Sequence, residues 1–174
     1  VGSGNSGMGG ELVLSAGSSS SATGGRLSVV SGSSSSSSGG LLLKTDDGFG
    51  GVSGLLVLST GVAKSGNSGA LFVGSGVATS GRAGSIYVTV GSGNSGMGGE
   101  IVVASGTSSF STGGRLSIVS GYGTLSTSGA LLLRSADAGV SGESGLLVLS
   151  SGTASRGNSG ALYIGSATAT SGRG

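Results

Sequence analysis

Serine is the commonest nucleophile this chain offers, at 41 of its 174 residues. A serine hydroxyl attacks only when a base takes its proton, and the usual base is His. The sequence contains no His and no Cys. A Ser–Lys arrangement would fall to Lys44 or Lys64 in a concave pocket, and a chain of Gly and Ser offers little concavity. The carboxylates are Glu11, Asp46, Asp47, Glu100, Asp137 and Glu143. Only Asp46 and Asp47 adjoin, in KTDDG, and two carboxylates on a loop fall short of the roughly six to eight oxygens that calcium takes. They read as solvated turn charge. The sequence therefore predicts no catalytic residue, no metal site, no cofactor and no enzymatic activity.

Two motifs have other readings. GSGNSG at Gly2–Gly7 and Gly91–Gly96 has the spacing of a phosphate-cradling loop. That chemistry needs a helix to follow, whereas MGGE and another apolar run follow here, so both copies read as turns. Asn5, Asn67, Asn94 and Asn158 each precede Ser-Gly. None is a glycosylation sequon, since Gly takes the third place, and Asn suits a corner because it tolerates left-handed φ.

Composition narrows the classes further. Gly contributes 42 residues, Pro and Trp none, and charged residues only 8%. Such bias suggests disorder, but 35% of the chain is hydrophobic, which disordered polar tracts are not. A net charge of +2 is too small to imply nucleic acid or anionic membrane. No run approaches the roughly 18 apolar residues of a membrane span. With no Cys, the redox compartment is left open.

The elements that carry these residues are internal repeats. Val1–Glu11 recurs unchanged as Val90–Glu100, and TGGRLSVVSG at Thr23–Gly32 returns as TGGRLSIVSG at Thr112–Gly121. Residues 1–174 thus form one continuous array, with 1–89 and 90–174 as two copies of a unit of six shorter repeats. The shorter repeats are marked by anchors at Glu11, Arg26, Gly40, Leu55, Ala70, Ser85, Glu100, Arg115, Ala130, Leu146 and Ala161, spaced by 14, 15 or 16 residues. The residue after each anchor is Leu or Ile. Two residues further on stands a second unbroken apolar column, from Leu14 to Ile164. A spacing of two is the strand period and places both columns on one face.

Gly argues against helix, costing about 1 kcal/mol per interior position relative to Ala. Short strands alternating with Gly turns predict an all-β parallel β-solenoid of about 15 residues per rung and roughly 11 to 12 rungs. Coils of 30 or 45 residues are the alternative. In the 15-residue coil Leu58 and Val73 are buried ladder neighbours, and Glu11 and Glu100 pair with Arg26 and Arg115 one rung away. Small residues such as Ser19, Ala63, Ala78, Ser108, Ala154 and Ala169 would face the apolar columns across a thin core. The chain opens within a repeat and neither end carries a polar cap. The array is therefore expected to continue, as more chain or as another subunit.

Between the two columns lies a position that must point outward, yet it is mostly apolar: Val13, Leu42, Val57, Phe72, Tyr87, Val102, Leu132, Val148 and Tyr163. Only Ser28 and Ser117 interrupt it. Monomeric soluble proteins rarely expose a stripe of this kind, which marks it as an assembly face for self-association into filaments.

The stretches GGRLSVVSG, SGNSGALFVGSG and SGALLLRS give the chain its texture. In this it resembles the Gly/Ser-rich β-solenoid fibre and adhesin-like repeat proteins of cell surfaces, including those predicted in algae and water moulds. The resemblance implies an extracellular or cell-surface structural role and transfers no functional residue. The expected function is a segment of an extracellular fibre, assembled by rung stacking and lateral packing of the apolar stripe. The alternative is a binding solenoid for glycans or ice, or an adhesin stalk. Ice-binding faces need regular Thr arrays, and Thr60, Thr79, Thr107 and Thr153 are scattered.

Overall fold

A computed structural model describes residues 8–169 of the chain. It divides into two units, one ending at Tyr87 and one beginning at Val88. Among the described residues there is no helix and no strand. The parallel β-solenoid of 15-residue rungs is therefore not what this chain forms, and coils of 30 or 45 residues fail on the same ground. The reading of uncapped ends concerns residues 1–7 and 170–174, which lie outside the described residues.

The short repeat is nevertheless written into the backbone. Bends fall at 20–22, 35–36, 49–51, 64–66, 79–81, 94–96, 109–111, 124–126, 140–142 and 155–157. Measured from its own anchor, each begins nine or ten residues on. Every repeat is thus an arm that carries the apolar columns, followed by a loop that turns at the bend and returns to its own base. The return is closed at the Gly that precedes the next anchor. From Gly25 to Gly160, each such Gly lies within van der Waals reach of a residue seven to ten positions earlier. Main-chain hydrogen bonds seal four of these necks: the N–H groups of Gly25, Gly39, Gly114 and Gly129 donate to the carbonyls of Gly17, Gly32, Gly106 and Gly121, at 2.7–2.9 Å.

A side chain would crowd the backbone at two of these necks. A Cβ on Gly25 would sit 3.0 Å from the Gly17 nitrogen, and one on Gly114 would sit 3.2 Å from both the nitrogen and the oxygen of Gly106. Among the described residues, positive φ occurs at Gly66, Gly81, Gly96 and Gly157, each eleven residues after its anchor, and at no residue other than Gly. The left-handed corners expected at Asn67, Asn94 and Asn158 fall instead on Gly66, Gly96 and Gly157, which have no Cβ to clash, and Asn5, with the motif at 2–7, lies outside the described residues.

Local closure explains why the ladder is missing. Serine hydroxyls in the loops capture nearby backbone N–H groups: Ser19 Oγ accepts from Ala22 and Ser108 Oγ from Ser111, both at 3.0 Å. Bonds of this kind offer the main chain an alternative to pairing with another strand. Burial tells the same story. No described hydrophobic residue is buried, and the half-buried positions are Ser31, Thr45, Ser120, Gly123 and Ser135. Four of those are small polar residues at loop necks. The expected core neighbours Leu58 and Val73 are 61% and 70% exposed. A rung with two large apolar side chains facing a wall of Gly, Ser and Ala encloses too little apolar area to hold the columns inward. The chain keeps 17295 Å² in contact with solvent, against roughly 7,400 Å² for a packed domain of this mass.

Candidate assembly surface

The arms carry the apolar residues, and in most of them, though not at Leu12–Leu14, exposure alternates along the arm. In the arm after Gly40, Leu41 and Leu43 are less exposed than Leu42, and after Ala70, Leu71 and Val73 are less exposed than Phe72. Alternation is the mark of an extended segment whose successive side chains point to opposite sides. The middle residue is the most exposed of the three in most arms.

All nine residues of the expected assembly face, from Val13 to Tyr163, are exposed, most of all Phe72 and Tyr163 at 92%. The two columns expected inside are open to solvent as well. The apolar surface of each arm is therefore both of its sides, rather than one stripe on the outside of a coil. The structure also presents apolar residues that the two-residue periodicity passed over. Phe49, Phe110, Leu125 and Val140 stand fully exposed at the bends. Counting from the anchors finds them, since each occupies the ninth or tenth place after its own.

Charge on this surface is sparse and regular. Lys44 Nζ lies 3.4 Å from Asp47 Oδ1, and Arg134 Nη2 lies 3.8 Å from Asp137 Oδ2. The two pairs occupy the same place in their repeats, 90 residues apart. Asp46 Oδ1 accepts the N–H of Asp47, so this acidic pair is engaged with its own loop and its neighbouring Lys. The pairs expected between Glu11 and Arg26 and between Glu100 and Arg115 do not form: among the described residues only the two local pairs lie within ion-pair distance.

Among the described residues there is no cavity and no group of three His, Cys, Asp or Glu side chains able to hold a metal. None of the helix-length apolar segments that cross a membrane is present among them either. Comparison of the chain with protein-family models, curated proteins and solved structures gave no match.

Proposed function

We propose that this chain is a structural element of an extracellular or cell-surface fibre, and that it assembles with copies of itself by covering the apolar residues of its arms. The observation that supports this reading is the exposure of large hydrophobic side chains on every arm from Leu12 to Ile164. Apolar surface of that extent lies well beyond what soluble monomers leave uncovered. A second copy supplies the cover most directly, since it carries the same columns at the same spacing. The resemblance to Gly/Ser-rich surface repeat proteins supports the placement outside the cell. A catalytic role draws no support from a chain without His or Cys.

Association here rests on the arms themselves, with no coil to stack. The glycan- or ice-binding alternative calls for a flat, regular face, and the scattered Thr residues favour it less. The test is direct. The 174-residue chain is concentrated, sedimented and viewed by low-dose electron microscopy. Filaments that pellet are the expected result, and a monomer that persists at high concentration without filaments overturns the proposal.

A further inference from the structure

Of the eleven anchors only four are charged, and they fall in the same order in each half: Glu11 then Arg26, Glu100 then Arg115. All four are exposed, and none makes an ion pair among the described residues. We propose that copies of this chain associate side by side in parallel, displaced by one short repeat, so that each Glu anchor faces the Arg anchor of the neighbouring copy. The inference rests on the self-association reading above and specifies its register.

The apolar columns cannot choose that register. The residue after the anchor is Leu or Ile in every repeat, and the third is Leu, Ile or Val. A shift by any whole number of repeats therefore keeps apolar against apolar. The charged anchors do discriminate. With no shift, Glu meets Glu and Arg meets Arg at all four positions. A shift of six repeats again sets Glu11 against Glu100 and Arg26 against Arg115. A shift of one repeat brings Glu11 to Arg26 and Glu100 to Arg115 together, because both halves keep the same order. The remaining anchors are uncharged and add no repulsion.

Direction follows from the columns. An antiparallel copy that brings anchors face to face sets the Leu or Ile after each anchor against the residue before one, which is Gly from Gly10 to Gly160. That arrangement gives up the apolar contact. A parallel copy keeps both the columns and the charges matched. A displaced parallel contact is heterologous, with each copy offering one register to the neighbour before it and another to the neighbour after. It does not close into a dimer and grows in steps of one repeat.

The test uses two full-length variants, V13C and S28C, which place a thiol at the same point of the first and second repeats. They are mixed in equal amounts, assembled and oxidised. One-repeat displacement predicts V13C–S28C disulfides in excess of either homodisulfide by about fivefold, the bias that two exposed ion pairs supply. The excess should shrink in about 1 M NaCl, where the screening length falls to about 3 Å. Introducing E11R and E100R into both variants should abolish it, and adding R26E and R115E should restore it. Filaments in which homodisulfides predominate, or in which the charge changes leave the ratio untouched, overturn the displacement while the self-association reading stands. Failure of every variant and of the parent chain to form filaments overturns both.

Discussion

Replacing Phe72, Tyr87 and Tyr163 together by Ser removes the three largest side chains of the arms' middle position. In the unassembled chain they are 92%, 85% and 92% exposed, so the substitutions take away no intramolecular packing. Their whole effect must appear in assembly. Rings of this kind offer roughly 200 Å² each, so the three present about 540 Å² to a partner. Complete cover at about 25 cal/mol per Å² would contribute about 13 kcal/mol per chain. If a neighbouring copy covers only a quarter of that area, the loss on substitution is about 3 kcal/mol. That raises the concentration of chain left unassembled by about a hundredfold. The assay pellets filaments at equilibrium and measures protein in the supernatant, with circular dichroism of the supernatant as the check that single chains are unchanged. An unaltered supernatant concentration would refute the claim that these arms carry the association.

Three further outcomes follow from the same geometry. In the unassembled chain the slowest-exchanging amides should be those of Gly25, Gly39, Gly114 and Gly129, which donate across the loop necks; slower exchange at Leu58 and Val73, measured by NMR, would contradict this architecture. Leu58→Asp should leave the circular dichroism of single chains unchanged, because the side chain is already 61% exposed, and should weaken sedimentation of assembled material by burying an unpaired charge. Gly123→Ala should displace its loop, since the new Cβ would stand 2.6 Å from the Ser126 oxygen, whereas Gly129→Ala, whose nearest contact is 3.4 Å, should be tolerated; chemical-shift changes confined to 121–129 in the first variant and small in the second are the expected pattern.

The spacing of the bends was legible in the residues, but the division of the apolar residues into buried columns and an outward stripe was not, since both are exposed. Leu41, Leu42 and Leu43 alternate in exposure as a spacing of two requires. The Gly before each anchor was visible as the end of each repeat, and it is where each loop closes. What the residues did not disclose is what the closure joins. A Gly-ended repeat of 15 residues is compatible with a coil stacked on its neighbour and with a loop tied to its own base. The choice lies in hydrogen bonds that have no side-chain signature, such as Gly25 to Gly17 and Gly114 to Gly106. Small residues such as Ser19 and Ser108 suit a thin core by size, yet both act on the backbone inside their own loops. The solenoid reading assumed that apolar columns must find cover within the chain. It also led to Glu11 and Arg26 being paired within one molecule, where they stand apart.

Which surface would drive the proposed association can be separated by temperature. Two kinds of contact are available to neighbouring copies: the Leu, Ile, Val and aromatic side chains of the arms, and the many unpaired N–H, C=O and Ser hydroxyl groups of arms and loops. They differ in thermodynamic sign. Apolar burial near room temperature is driven by entropy and weakens on cooling. Each 1,000 Å² of apolar surface covered lowers the heat capacity by about 0.45 kcal/mol per kelvin. Polar surface has the opposite sign, about 0.26 kcal/mol per kelvin for the same area, and hydrogen bonding is favoured by enthalpy, hence by cold. If the apolar arms carry assembly, filaments formed near 25 °C should release chain on cooling toward about 5 °C, and calorimetric assembly enthalpies should fall steeply as temperature rises. The substituted chain lacking Phe72, Tyr87 and Tyr163 should show a shallower slope, because it has less apolar area to cover. Filaments that grow more stable in the cold, with an assembly enthalpy that hardly varies with temperature, would assign the contact to backbone and serine instead and leave the apolar arms without a part in it.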